Sequence, residues 1–373
     1  MTPTPPVRAR ELGIAPGILP TGPLNAITDV HHVSVGHITV IEGNDVRTGA
    51  TAILPHSGNI YQEKVPAGVA VGNGYGKLMG STQIEELGEI ETPILLTNTL
   101  SVPRAGDALL DWTLAQPGNE SVRSVNMVVG ETNDGYLNNI RKRVLTPEIL
   151  RHAIDVASRG LVDEGCVGAG TGTVAFGWKG GIGTSSRLLP QEVGNYTVGV
   201  LVQSNYGGVL QVLGEPVGVL LDQYYGKEWR EVRSSQTAEN NSPDGSIMII
   251  IATDAPLSDR NLTRLARRGL AGLARTGASM SDGSGDYVIA FSSEEAIRRT
   301  AARRAEASII AELPNEHMSP LFQAAIEATE EAILNSLFMA HTMSGYKGRT
   351  VKALPTEQIL AVINTPMSHR SKK

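Results

Sequence analysis

Apolar, β-branched runs bounded by turn residues alternate along this chain with helix-period stretches, and the two patterns predict its elements. Strands are expected at Val33–Val40, Ala50–Leu54, Val65–Asn73, Pro93–Thr97, Val125–Val129, Tyr196–Gln203 and Tyr287–Phe291. The strongest run is Ile247-Met248-Ile249-Ile250-Ile251-Ala252, which has no polar interruption and reads as a strand buried on both faces. Helices are expected before Gly88, at Ala105–Gln116, and after Thr146-Pro147-Glu148, where an N-cap, a proline and an acid stand in order. Ser258 is expected to cap a helix with Leu262, Leu265, Ala266, Leu270 and Leu273 on one face, ended by Gly277. A long amphipathic helix should open at Ser319-Pro320 and run to about His341, and a short one should close the chain at Thr356–Ile363. Pro3, Pro5, Pro6, Pro16, Pro20 and Pro23 leave an extended arm over residues 1–24, with no room for a helix. Residues 232–245 are polar and loop-like, the kind of segment that tolerates a chain break.

Strands and helices are mixed, and the prominent helices follow strands in blocks. That order fits two central sheets between two helix layers, an α/β class architecture. No linker divides the 373 residues, so they read as a single domain, 1–373. Forty-one glycines exceed the usual share of roughly 7%. They cluster at residues 68–80 and 165–184, which implies tight turns and close backbone packing.

Composition narrows the function. Hydrophobic content of 41% and charged content of 19% belong to a globular chain. The net charge of −6 and 4% aromatics argue against nucleic-acid binding. One cysteine, Cys166, excludes an intrachain disulfide. No apolar run is long enough to span a membrane, and residues 1–23 lack a signal-peptide core, so a soluble cytoplasmic protein is expected.

The candidate chemistry centres on Asn241-Ser242-Pro243-Asp244-Gly245-Ser246. A flexible Asp-Gly turn delivers Ser246 to the first position of the buried strand, with its hydroxyl near the carbonyl of Gly245. Attack there would move the acyl group from nitrogen to oxygen, and water would cleave the resulting ester. The new chain would start at Ser246 with a free α-amine, whose pKa of roughly 7.7–8.0 suits a general base. Two other arrangements are weaker. Gly168-Ala169-Gly170-Thr171-Gly172 lacks the full dinucleotide spacing. His31, His32 and His37 lack a Cys or carboxylate set to complete a metal site, so no cofactor or metal is expected.

Asp244-Gly245-Ser246-Ile247 through Pro256-Leu257 resembles the self-cleavage site of the DmpA/BapA family, the L-aminopeptidase/D-amidase-esterases and β-peptidyl aminopeptidases. Further blocks resemble the same family in order. They are Arg10-Glu11-Leu12-Gly13-Ile14, Asn25-Ala26-Ile27-Thr28-Asp29-Val30, Val35-Gly36-His37, Glu131-Thr132-Asn133-Asp134-Gly135-Tyr136, Val167–Gly172, Lys179–Thr184, Val202–Gly207 and Ser284-Gly285-Asp286. The resemblance implies a four-layer αββα sandwich, similar in shape to the N-terminal-nucleophile hydrolases but wired differently. It implies self-cleavage between Gly245 and Ser246 into fragments 1–245 and 246–373, with Ser246 the nucleophile of a serine aminopeptidase. By the same carry-over, Ser284 and Asp286 form a relay to Ser246, although β-peptidyl relatives carry Glu in place of Asp286. Asn205, expected after a strand end, donates to the oxyanion. Glu131, also expected after a strand end, binds the substrate ammonium, with Tyr136 and Asn133 beside it. Small peptides, amides or esters are the implied substrates, and a tetramer of cut protomers the implied assembly. Two alternatives stay open: acyl transfer like that of ornithine acetyltransferases, disfavoured because those use threonine, and a binding protein without catalysis.

Overall fold

The apolar runs pair into two main sheets, beside two small two-stranded ones, in the computed structural model, which describes residues 5–229 and 245–364. In chain order the strands are β1 (Ser34–Glu42), β2 (Val46–Leu54), β3 (Val65–Gly74), β4 (Glu89–Ile90), β5 (Ile94–Asn98), β6 (Val128–Thr132), β7 (Val174–Ala175), β8 (Trp178–Lys179), β9 (Ile182–Leu188), β10 (Thr197–Asn205), β11 (Ser246–Thr253), β12 (Gly285–Ser292), β13 (Met343–Ser344) and β14 (Thr350–Val351). The helices are α1 (Ser81–Leu87), α2 (Val102–Leu114), α3 (Pro147–Asp155), α4 (Val217–Leu220), α5 (Asp259–Arg275), α6 (Ala301–Ala305), α7 (Met318–Phe338) and α8 (Thr356–Ile363).

One sheet has four strands in the order β1-β2-β5-β6, and the other has six in the order β4-β3-β12-β11-β10-β9. The apolar side chains sort by layer. Ile53, Ile94, Leu96, Val128, Met248, Ile250 and Ile289 fill the space between the sheets. Leu95, Val129, Leu109 and Leu150 pack α2 and α3 onto the outer face of the smaller sheet. Val200, Ile249, Val288, Leu265 and Ile333 pack α5 and α7 onto the outer face of the larger one. The architecture is the four-layer αββα sandwich that the strand and helix order implies. Gln203 fastens the sheets: its Nε2 donates to Thr97 O (3.0 Å), Thr132 Oγ1 (2.9 Å) and Ala169 O (3.0 Å).

Several expectations shift for physical reasons. The arm contains a short 3-10 turn, Ala9–Leu12, which needs only a stretch free of proline. The strand expected at Val125–Val129 is Val128–Thr132, and the glycine-rich stretch hides a full strand, Ile182–Leu188. There glycine is required by packing: a Cβ on Gly183 would lie 1.9 Å from Ala332 O of α7. Ser258 makes no side-chain cap; its hydroxyl donates to Glu312 instead. The helix from Met318 is buried on nearly every side rather than amphipathic, because β9, β10, α5 and the arm all pack on it. Apart from Gly245, the polar loop expected over residues 232–245 lies outside the described residues.

The arm is held by charge rather than by helix propensity. Arg187 of β9 is fully buried and reaches Glu327 (3.2 Å), Glu331 (2.8 Å) and Pro16 O (2.8 Å). Glu331 also receives Arg10 Nε (2.8 Å) and Asn25 Nδ2 (2.6 Å). Removing one partner of such a cluster strands the others in a dry interior. Arg187→Leu should therefore lose about 3–5 kcal/mol of stability, read as a lowered denaturant midpoint in urea. A loss below the error of the fit would show that the cluster contributes nothing.

Candidate active site

The site grows from strand pairing. β11 runs parallel to β12 with Ser246 opposite Gly285, and antiparallel to β10 with Ser246 opposite Asn205. Side chains alternate across a strand. Met248 and Ile250 face the inter-sheet space, so Ser246 faces it too; the same alternation carries Asn205 to that face alongside Leu201. Directly opposed residues of an antiparallel pair have Cβ atoms about 4.5–5.5 Å apart. Ser246 and Asn205 are therefore side-chain neighbours.

Asn205 is the last residue of β10 and lies inside the strand, not after it as the sequence suggests. Its Oδ1 accepts the Val174 N–H at 2.9 Å. That bond fixes the amide orientation and leaves Nδ2 uncommitted among the described residues. The Gly285 N–H is shared: it donates to Gly245 O at 3.1 Å and to Ser246 Oγ at 3.2 Å. A single backbone donor thus touches both the carbonyl and the hydroxyl on either side of the Gly245–Ser246 bond. Gly245 itself packs on Tyr206, where an added Cβ would come within 2.9 Å of Tyr206 Cα.

Ser284 and Asp286 are joined, the Ser284 hydroxyl donating to Asp286 Oδ1 at 2.8 Å. Asp286 lies within β12 on the face that carries Val288 and Ala290, the face opposite the Ser246 side chain. No hydrogen bond links Ser284 or Asp286 to Ser246 among the described residues. Asp286 Oδ2 is buried without a partner among them. Burial raises the Asp286 pKa to about 6, against the opposing hydrogen bond from Ser284.

Glu131 lies in β6, again inside its strand, and only 2% of it is exposed. Burial raises its pKa, opposed by the Lys77 N–H and ammonium. The Lys77 N–H donates to Oε1 at 2.9 Å. Glu131 reaches the Ser246 strand ends past Gly76: a Cβ there would lie 3.1 Å from Glu131 Oε1 and 3.1 Å from Gly285 Cα. A side chain at residue 76 would crowd that passage.

Asn133 and Tyr136 are exposed on the loop after Glu131. Asn133 Oδ1 closes a turn on the Gly135 N–H (2.9 Å), and the Arg349 guanidinium lies 4.7 Å from the centre of the Tyr136 ring. Neither residue hydrogen-bonds to Ser246 among the described residues.

Sequence reasoning missed the supports. Asn73 Nδ2 donates to the carbonyls of Ser281 (3.0 Å), Asp282 (3.0 Å) and Ser284 (2.5 Å), which pins the turn before Asp286. Tyr287 donates its hydroxyl to Gly76 O at 2.8 Å. The dense glycines around Asn73, Tyr75 and Lys77 were the available signal that backbone comes close there.

The family model for peptidase family S58 matches residues 25–351. The chain belongs to peptidase family S58. It is 40% identical to the "Beta-peptidyl aminopeptidase BapA" of Sphingosinicella microcystinivorans, over 95% of this chain and 91% of that protein. Among solved structures it is similar to the PH0078 protein of Pyrococcus horikoshii OT3, with 47% identity, TM-score 0.86, and 95% and 98% of the two chains covered. It is also similar to the L-aminopeptidase D-Ala-esterase/amidase of Ochrobactrum anthropi, a variant of the Ntn hydrolase fold, with 35% identity, TM-score 0.84, and 95% and 98% covered. As an S58 member with that fold, the chain is a hydrolase of the serine aminopeptidase type.

The Asp286 shift has a definite sign. Its folded pKa lies above the ordinary 3.8, so ionisation costs the folded chain more than the unfolded one. Its contribution to stability is therefore present at low pH and is lost as pH rises from about 4 through 6. Asp286→Asn should flatten the stability profile across that window. Ser284→Ala, which removes the bond favouring the carboxylate, should move the fall to higher pH. Urea denaturation of an uncut Ser246→Ala background between pH 4 and 8 reads both; identical profiles in all three would refute the assignment.

Proposed function

We propose that this S58 aminopeptidase cuts its own chain between Gly245 and Ser246, and that Ser246 is the nucleophile of the mature enzyme. The observation that carries this is the shared Gly285 N–H, which bonds the Gly245 carbonyl oxygen and the Ser246 hydroxyl together. In self-cleavage Ser246 Oγ adds to the Gly245 carbonyl carbon, and the oxygen that gains charge already accepts that N–H. Collapse breaks the C–N bond, the nitrogen takes the hydroxyl proton and becomes the α-amine, and water hydrolyses the ester to free the Gly245 carboxylate.

The mature site then works with a built-in base. The Ser246 α-amine, with a pKa near 7.7–8.0 in a model peptide, accepts the hydroxyl proton. The acyl carbon of a substrate is attacked by Oγ, its oxyanion is met by Asn205 Nδ2, and the amine leaves with a proton from the α-ammonium. Water, activated by the same amine, releases the acyl group. The Ser284–Asp286 pair serves the α-amine rather than the hydroxyl, since it lies on the other face of the sheet. Glu131 receives the substrate ammonium through charge-assisted hydrogen bonds, and Tyr136 and Asn133 border the entrance. The β-peptidyl name of its relative supports β-amino acyl groups as substrates beside α-amino ones. The family resemblance supports a tetramer of cut protomers.

Wild-type protein on a denaturing gel should give two fragments whose masses place the break at 245/246, and Ser246→Ala a single 39.5 kDa chain with no turnover. In a chain that is already cut, Asn205→Ala should lower kcat by about 10²–10³. An active sample that remains one intact chain would overturn the proposal.

A further inference from the structure

One charged residue beside the ammonium site is unused by that chemistry. Lys77 follows Gly76, and its side chain is 54% exposed while that of Glu131 is 2% exposed. Its Nζ stands 4.0 Å from Glu131 Oε1, at the limit of an ion pair, and makes no hydrogen bond among the described residues. Its other neighbour is the Tyr75 ring, 5.8 Å away at its centre. The backbone N–H of the same lysine is fixed on Glu131 at 2.9 Å, so the main chain is anchored there and the side chain is free to adjust.

A cation in that place is a poor companion for a bare substrate ammonium. The two positive charges would compete for one carboxylate, and like charges at this range repel. A substrate with both an ammonium and a carboxylate on one carbon resolves the conflict. Its ammonium lies on Glu131 and its carboxylate on Lys77.

We propose that Glu131 and Lys77 form a clamp for such a zwitterion, and that β-aspartyl peptides and amides are preferred substrates of this enzyme. This rests on the aminopeptidase reading given above. The β-aspartyl acyl group, ⁺H₃N–CH(COO⁻)–CH₂–C(=O)–, has its amine two carbons from the carbonyl. That is the spacing of a β-amino acid, with the side chain replaced by a carboxylate. An ordinary α-amino acyl group has nothing for Lys77 at that carbon. A γ-glutamyl group has the zwitterion but one more methylene, which moves the carbonyl away from Ser246. Lys77 is on this view a specificity-determining residue, and takes no proton or electron pair in the reaction.

The matched pair is β-aspartyl-p-nitroanilide and β-homoalanyl-p-nitroanilide, which differ by carboxylate against methyl. Wild-type enzyme should favour the former in kcat/KM by about tenfold or more. Lys77→Met should lower that ratio by a similar factor, chiefly through KM, and Lys77→Arg should keep most of it. The γ-glutamyl anilide should be slower than the β-aspartyl one. A wild-type ratio at or below one, or a ratio that Lys77→Met leaves unmoved, overturns the clamp, because a lysine that merely stabilises Glu131 would alter both substrates alike. A faster γ-glutamyl reaction overturns the assigned spacing. If no aminoacyl anilide of any kind is hydrolysed, the aminopeptidase reading itself falls; if β-homoalanyl is cleaved and the ratio is wrong, only the clamp does.

Discussion

The parallel pairing of β11 with β12 is the constraint on which the site depends. Parallel neighbours begin at the same edge of a sheet, so Ser246 and Gly285 open their strands side by side. β10 runs the other way and ends there, which delivers Asn205 to the same edge. One hydroxyl, one backbone donor and one amide are thereby gathered without any loop having to bend toward another. Shifting the β11 register by one residue would turn Ser246 to the helix side of the sheet and separate it from Asn205. The all-apolar course of Ile247 to Ala252 does not by itself prevent such a slip, because both faces are apolar and buried; specific packing has to. Met248 fills the space over Gly130, where a Cβ would lie 2.5 Å from its methyl carbon.

The second sheet supplies the charge. Glu131 is on β6, and its placement relative to Ser246 is a matter of how far apart the sheets stand. Gln203 sets that gap by bonding β5, β6 and the Ala169 turn at once. Burial then acts on both carboxylates of the proposed site in the same direction, raising Glu131 and lifting Asp286 to about 6. The bonds from Lys77 and Ser284 oppose that rise, so each carboxylate is held closer to ionisation than its surroundings alone would allow.

Much of this was legible in the residues. The buried run after Gly245-Ser246, the capped helix at Thr146-Pro147 and the helix rich in leucine after Ser258 follow from local pattern alone, and all three elements form. Asn205, Glu131 and Asp286 were placed just outside strands because polar residues at strand ends look like turns. In fact the ladder continues through them, since each finds a polar partner there. The strand at Ile182–Leu188 was hidden because its glycine, Gly183, answers to a helix packed against it, and a contact across the fold leaves no local period. Lys77 and Asn73 carry no motif. Their importance arises only when β3 is laid beside β12.

The order of the larger sheet also bears on what a break at 245/246 would do. β11 and β12 lie at its centre, flanked by β3 and β4 on one side and by β10 and β9 on the other. The first pair and the flanking pairs come from opposite sides of that bond. Each fragment is therefore clasped by the other along two strand ladders, and α5 and α7 cover the joint with apolar side chains. Separating the pieces would expose strands whose every residue is buried. Cutting the peptide would remove one covalent link at the start of a strand and leave the ladder bonds from Ile247 onward in place. The new amine would be freed at the starting end of β11, while the rest of the architecture keeps its register and holds the amine beside its own hydroxyl.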